Sequence, residues 1–107
     1  MEINAHTQLC GILGNPIEHS LSPAIHNAAF QMLGLNFVYL AFRVEDLPGA
    51  VKGLRALGNL RGFSVTIPHK VAAMSLLDEV EPTALKIGSI NTIVIEQGRL
   101  KGYNTDA

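Results

Sequence analysis

The chain has 107 residues, 48% of them hydrophobic and 16% charged, which is the size and composition of one globular domain over residues 1–107. Its eight basic and nine acidic residues give a net charge of −1 and form no basic block, so the chain lacks the phosphate-neutralising charge that nucleic-acid binding needs. Residues 1–8 do not show the charged and apolar regions of a secretory leader, and the longest apolar runs are too short to span a membrane. We therefore expect a cytoplasmic protein without membrane or nucleic-acid partners.

The first part of the chain predicts a strand followed by a helix. Residues 8–13 are a short apolar run that ends in a Gly-Asn-Pro turn, which is typical of a buried strand. Ser22 and Pro23 then predict a helix start, because a serine hydroxyl can cap a free backbone N–H and proline fits the first helical position. This helix ends at Gly34, and its apolar residues share one predicted face: Ile25, Ala28, Ala29, Met32 and Leu33.

The same alternation continues through the middle of the chain. Residues 37–44 predict a second strand, and Asp46 is placed to cap a second helix that ends before Gly58. The apolar face of this helix consists of Leu47, Ala50, Val51, Leu54 and Leu57. Residues 63–67 predict a third strand.

The last part of the chain predicts two more helices and a hairpin. Pro68 begins one helix, and residues 82–87 form a shorter one. Residues 90–95 and 99–103 predict strands joined by a turn at Gln97-Gly98. The whole pattern predicts an α/β fold: a three-layer sandwich with a mostly parallel, mixed sheet covered by helices on both faces.

Candidate site residues follow the predicted strands, because ligands of open α/β sheets bind beyond the carboxyl ends of the strands. Ser20 and Ser22 lie at a predicted helix N-terminus, where free N–H groups and the helix dipole favour a carboxylate or phosphate. The alternative is that Ser22 only caps the helix and Ser20 is an ordinary loop residue. Lys70 falls in the first turn of a predicted helix, where the positive end of the dipole disfavours the charged form of its side chain. This placement indicates a role in proton exchange, and the alternative is a solvated surface lysine.

Other polar residues carry weaker signals. Asn91 enters a β-branched strand, where an amide needs partners or binds a ligand, and Asp106 on its own is best interpreted as a helix N-cap. The four histidines lack metal-ligand spacing, and Cys10 is interpreted as a small core residue. No glycine-rich phosphate-binding pattern is present, so the sequence predicts neither a metal site nor a nucleotide cradle.

Four short sequence motifs occur along the chain and are most informative when they are taken together. Residues 14–27 read G-N-P-I-E-H-S-L-S-P-A-I-H-N and residues 65–70 read V-T-I-P-H-K, while residues 88–92 and 102–106 read G-S-I-N-T and G-Y-N-T-D. In this order, they resemble the N-terminal catalytic, substrate-binding domain of shikimate dehydrogenases, and the resemblance runs from about Cys10 to Ala107. One departure is Ser64, where the family often has asparagine.

The resemblance implies an enzyme that reduces 3-dehydroshikimate to shikimate with NADPH, a step towards aromatic amino acids. It implies that Ser20 and Ser22 bind the substrate carboxylate. It also implies that the substrate hydroxyls are surrounded by Thr66, Lys70, Asn91 and Asp106. Because charge develops on the ketone oxygen during reduction, we expect Lys70 to act as the acid/base residue and Asp106 to be its charge partner.

The family's NADP-binding domain follows the N-T-D segment, so we expect this chain to bind the substrate without catalysing hydride transfer on its own. Surface that meets that domain would be exposed, and a homodimer is a possible result. Alternative interpretations are a quinate/shikimate dehydrogenase that often uses NAD, a non-catalytic module that binds a hydroxy-carboxylate, and a purely structural α/β domain.

Overall fold

The computed structural model describes residues 2–106, which form one mixed sheet, three α-helices and a 3₁₀ helix. In chain order these are β1 (Gln8–Gly14), α1 (Ser22–Leu33), β2 (Phe37–Arg43), α2 (Leu47–Ala56), β3 (Leu60–Val65), the 3₁₀ helix (Ala72–Leu76), β4 (Glu79–Val80), α3 (Pro82–Ile87), β5 (Thr92–Glu96) and β6 (Arg99–Tyr103).

The strands lie in the order β2-β1-β3-β5-β6-β4. β1 pairs in parallel with both β2 and β3, and in this register Ile12 lies opposite Ala41 on one side and Ser64 on the other. β5 runs antiparallel to β3 and β6, and the short strand β4 joins β6 in parallel. The predicted α/β fold with a mostly parallel, mixed sheet is therefore confirmed, and β1, β2 and β3 all end at the same edge.

The core lies on one face of the sheet. Leu13, Phe63 and Val65 point to this face, where they pack with the buried residues of α2, and Ile90, Ile93 and Leu100 are fully buried in the same cluster. α2 begins where the sequence predicts, because the Asp46 carboxylate accepts a hydrogen bond from the Gly49 N–H at 3.0 Å.

α1 covers the other face. Phe37 and Tyr39 of β2 contact α1 through Phe30 and His26, whereas Phe42 packs against the core on the α2 side. Since successive residues of a strand point to opposite faces, α1 and α2 lie on opposite sides of the sheet. This arrangement confirms the three-layer sandwich.

The predicted apolar face of α1 does not enter the core. No residue of α1 is buried, and Ile25, Met32 and Leu33 are 63%, 89% and 72% exposed. The reason is that α1 turns His26, Asn27 and Phe30 towards β2, so that the contact with the sheet is polar and aromatic. The apolar stripe of α1 is therefore exposed, although its spacing is that of a helix face that packs on a core.

The prediction of a helix that begins at Pro68 is wrong, because residues 66–71 are turns and irregular backbone and the helical residues that follow, Ala72–Leu76, form a 3₁₀ helix. Tertiary hydrogen bonds compete with the helix here. The Ile90 N–H donates to the Lys70 carbonyl at 3.0 Å, and the His69 ring bonds to the Val44 carbonyl at 2.7 Å. Lys70 therefore does not lie in the first turn of an α-helix, and the dipole argument for its reactivity does not hold.

Smaller differences concern strand boundaries. The third strand begins three residues earlier than predicted and ends at Val65, and the two-residue strand β4 was not predicted. The turn at Gln97-Gly98 is confirmed, with φ values of 52° and 76°. Cys10 is only half-buried, and this burial raises the pKa of its thiol. None of the helices within residues 2–106 has the length and hydropathy to cross a membrane.

Candidate functional site

The loops after β1 and β3 lie side by side at the edge where these parallel strands end. The Asn15 N–H donates to the Ile67 carbonyl at 3.0 Å, and the Thr66 N–H donates to the Leu13 carbonyl at 2.9 Å. The peptide bonds Asn15-Pro16 and Ile67-Pro68 are both cis. A cavity of about 270 Å³ opens between the loops and is lined by Ile12, Pro16, Ile17, His19, Ser20 and Thr66.

Ser20 contributes a hydroxyl group at the start of α1. Its backbone N–H donates to the Ile17 carbonyl at 3.1 Å, and its Oγ accepts the Ser22 N–H at 3.2 Å. Because the oxygen acts as an acceptor within the protein, its own proton remains available to a ligand.

Ser22 does not cap α1 as predicted. Leu21 occupies the cap position without any side-chain hydrogen bond, and Ser22 is the first helical residue. The turn at Ser20 explains this difference, because it supplies the hydroxyl that satisfies the Ser22 N–H. The Ser22 hydroxyl is therefore not used for capping.

Backbone hydrogen bonds join the other three predicted segments. The Val65 N–H donates to the Asn91 carbonyl at 2.8 Å, and the Asn91 N–H donates to the Tyr103 carbonyl at 2.9 Å. Together with the bond from Ile90 to Lys70, these contacts hold residues 65–70, 90–91 and 103–106 beside one another. The structure thus brings the segments of Thr66, Lys70, Asn91 and Asp106 to one edge of the sheet.

The Asn91 side chain has a fixed orientation. Its Oδ1 accepts from the Thr92 hydroxyl at 2.9 Å and from the Thr105 N–H and hydroxyl at 3.0 and 3.2 Å. The Nδ2 group has no hydrogen-bond partner among residues 2–106. Because the oxygen is fully engaged, the amide presents a donor to any ligand beside it.

Asp106 is exposed, and its N–H donates to the Asn104 Oδ1 at 3.0 Å. The Asn104 Nδ2 in turn donates to the Ser89 carbonyl at 3.2 Å, which ties this end of the chain to the Asn91 segment. In the part of the chain that the structure describes, no ion pair joins Asp106 to Lys70. The assignment of these two residues as a coupled pair stays a prediction.

Two buried residues beside the site were not predicted from the sequence. Tyr39 is 4% exposed, and its hydroxyl donates to the Ser64 Oγ at 3.1 Å. Burial raises the pKa of the Tyr39 phenol, although the hydroxyls of Ser64 and Ser22 act in the opposite direction. His69 is 8% exposed and anchors the Lys70 loop to Val44. A tyrosine in a predicted strand was the available signal, because a buried phenol needs a polar partner.

A larger groove lies on the opposite face of the sheet. It has a volume of about 390 Å³, and apolar side chains such as Leu9, Phe42 and Leu54 line it beneath a polar rim at residues 43–46. None of the predicted site residues lines it. Of the predicted site residues, Ser20 and Thr66 line the smaller cavity instead.

Comparison with protein families gives a match over residues 12–93 to the family described as the shikimate dehydrogenase substrate binding domain. A curated relative, the shikimate dehydrogenase (NADP(+)) of Desulforamulus reducens, is 56% identical over 106 residues. The match covers 97% of this chain and 36% of the relative. The chain thus spans little more than a third of the length of this relative.

Solved structures agree with the sequence comparisons. A shikimate dehydrogenase crystallised in complex with NADP+ superimposes with a TM-score of 0.93 at 52% identity, over 98% of this chain and 37% of the other. The shikimate 5-dehydrogenase from Listeria monocytogenes, in complex with shikimate and NAD, gives a TM-score of 0.90 at 47% identity over 96% and 36% of the two chains.

Proposed function

We propose that this chain, which belongs to the shikimate dehydrogenase substrate-binding domain family, binds shikimate and 3-dehydroshikimate as part of an NADP-dependent oxidoreductase. The descriptions of the relatives named above give shikimate dehydrogenase as their activity, and they name NADP+ and shikimate among the bound ligands. The whole enzyme would reduce 3-dehydroshikimate to shikimate.

The convergence of donors at one edge of the sheet carries this proposal. The Ser20 hydroxyl and the Asn91 Nδ2 are both available to a ligand, and the segments that bear them flank Thr66. A carboxylate requires donors, and the first turn of a 12-residue helix beside Ser20 adds the positive end of its dipole. A ring that carries one carboxylate and several hydroxyls matches this set.

Lys70 is proposed to act at the reacting oxygen. Reduction of a ketone places negative charge on its oxygen, which an ammonium group stabilises and then protonates. The backbone bond from Ile90 to the Lys70 carbonyl holds the base of this side chain beside Asn91. Asp106 is the proposed charge partner of the ammonium group. It follows Asn104 and Thr105, which bond to the Ser89 carbonyl and the Asn91 Oδ1.

The dinucleotide does not fit the residues described here. The turns after β1 and β3 begin with Asn15-Pro16 and Thr66-Ile67, and neither is a glycine-rich turn into a helix that could hold a diphosphate. We therefore propose that NADP binds mainly to residues outside this chain. A cytoplasmic location and a homodimer, both expected from the sequence, stay predictions.

The test is an NMR titration of the 107-residue chain with shikimate, followed through backbone amide shifts. We expect saturable shifts confined to residues 17–22, 64–70, 89–92 and 104–106, and much weaker binding of shikimate methyl ester. Ser20→Ala should weaken the binding of shikimate but not of the ester, and Gln31→Ala, on the far part of α1, serves as the control. Equal binding of acid and ester, or shifts elsewhere, would contradict the proposal.

A further inference from the structure

We propose that Tyr39 is a positioning residue of this site. Its phenol holds the Ser64 hydroxyl so that the serine donates its proton into the cavity beside Ser20 and Thr66. This inference rests on the proposed function and extends it. It assigns to Ser64 the role of an additional hydrogen-bond donor, and to Tyr39 the role of fixing that donor's direction.

The first argument is the path of the Tyr39 side chain. Tyr39 lies opposite Cys10 of β1, whereas Ser64 lies on β3, on the far side of β1. Adjacent strands are about 4.8 Å apart, so the phenol must cross the whole width of β1 to reach Ser64 at 3.1 Å. The tyrosine thus spans the sheet beneath α1 and ends at the third strand.

The second argument is that two side chains of α1 hold Tyr39 in place. The Asn27 side chain bonds to its backbone N–H and carbonyl, each at 2.8 Å. The His26 ring stacks on the phenol with the ring centroids 4.3 Å apart and the planes inclined by 15°. A hydroxyl placed in this way has little freedom, so the group that it bonds to is fixed as well.

The third argument concerns the direction of the hydrogen bond. The Tyr39 O–H donates to the Ser64 Oγ at 3.1 Å, and a phenol carries its proton at neutral pH. Because Ser64 accepts this bond, its own proton is left to donate elsewhere. No other side-chain bond uses Ser64 within residues 2–106.

The fourth argument is the position of Ser64 relative to the cavity. Ser64 is the register partner of Ile12, which lines the cavity, and Thr66 lies two residues further along the same face. Ser64 therefore lies on the same face of the sheet as Ile12, next to the cavity that Ser20 and Thr66 line.

The test compares Tyr39→Phe, Ser64→Ala and the double variant by titration with shikimate. We expect each single change to weaken binding roughly three- to tenfold, which is the range for one hydrogen bond. The double variant should bind no more weakly than Ser64→Ala, because Tyr39 acts only through Ser64. Additive losses, or normal binding by Tyr39→Phe, would overturn the proposal.

A second measurement does not depend on the fold of Tyr39→Phe. The chain has only two tyrosines, so the Cζ carbon of Tyr39 can be observed by 13C NMR with Tyr103→Phe as the assignment control. Shikimate should shift the Tyr39 signal in the wild type but not in Ser64→Ala. A shift of equal size in both proteins would overturn the inference.

The outcomes separate this inference from the proposed function. If the wild type binds shikimate and Ser20→Ala weakens that binding while Tyr39→Phe binds normally, only the role of Tyr39 is wrong. If the wild type does not bind shikimate at all, both proposals are overturned.

Discussion

The Asn27 side-chain amide makes with Tyr39 the two hydrogen bonds that a neighbouring strand would make. The Tyr39 N–H donates to Oδ1 and Nδ2 donates to the Tyr39 carbonyl, each at 2.8 Å. β2 is an edge strand, and such edges expose backbone groups that invite pairing with another chain. Asn27 thus closes the middle of the edge with a single side chain from α1.

Asn27→Ala should lower the free energy of unfolding by about 1–3 kcal/mol, because two backbone groups of a buried residue lose their partners. The measurement is urea denaturation followed by circular dichroism. Gln31→Ala changes an exposed residue on the same helix and should leave the free energy of unfolding nearly unchanged. Equal effects of the two substitutions would show that the Asn27 amide contributes no more to the free energy of unfolding than an exposed side chain of the same helix.

Asn91→Asp should weaken shikimate binding by about tenfold or more while the fold is retained. The variant keeps an oxygen that can accept from Thr92 and Thr105, but it replaces the free Nδ2 donor with a second acceptor. Isothermal titration calorimetry measures the change. Asn36→Asp adds the same charge before β2, at the other end of the sheet, and should bind shikimate normally.

Lys70→Met in the whole enzyme should lower kcat by at least about a hundredfold and change KM much less, because the ammonium group acts mainly in the transition state. The assay follows NADPH oxidation with 3-dehydroshikimate. Lys101→Met is the matched control, since Lys101 pairs with Glu79 on β4. Near-normal turnover of Lys70→Met would reject its assignment as the acid/base residue.

Gly14→Ala should disturb the site directly. A Cβ atom at this position would overlap the Thr66 Cγ2 and lie 3.2 Å from both the Ile17 Cδ1 and the Ile67 carbonyl oxygen. We expect weaker shikimate binding and a loss of about 1–3 kcal/mol of unfolding free energy. Gly53→Ala meets open space in the middle of α2 and should instead stabilise the chain by about 0.5–1 kcal/mol. Matching effects of the two substitutions would contradict this account.

Asp78 should make stability depend on pH in the acid range. The Leu100 N–H, which donates to the carboxylate at 2.7 Å, and the Arg55 guanidinium hold the pKa of Asp78 below its usual range. The unfolded chain binds this proton more readily, so the stabilisation is fully present above the unfolded pKa of about 4 and is lost as pH falls through the lower folded value. Asp78→Asn should reduce the slope of urea midpoint against pH below pH 5, and an unchanged slope would contradict this account.

The sequence predicted the elements whose signals are local. The side chain of Asp46 caps α2 as expected, and Gln97-Gly98 makes the turn between β5 and β6. The helix prediction after Pro68 was wrong because this segment forms hydrogen bonds with Val44 and Ile90, and no local sequence pattern reveals such contacts. A two-residue strand such as β4 has no periodicity to detect.

The site was predictable to the level of its segments. Motif resemblance selected the loops that bear Ser20, Thr66, Lys70 and Asn91, and the fold brings these loops to one edge. The contact from Tyr39 to Ser64 was not predictable, because it joins residues 25 positions apart across an intervening strand. Side-chain contacts of this kind depend on the register of the sheet.

Neighbouring residues of β3 point to opposite faces of the sheet. Phe63 and Val65 are 2% and 3% exposed in the core, whereas Ser64 between them points to the face that carries the cavity. A single substitution at position 64 can therefore alter recognition and leave the core intact. A one-residue insertion or deletion in the strand would exchange the two faces, placing a hydroxyl in the core and an aromatic ring in the cavity. The length of this strand is therefore constrained more strictly than the identity of the residue at position 64.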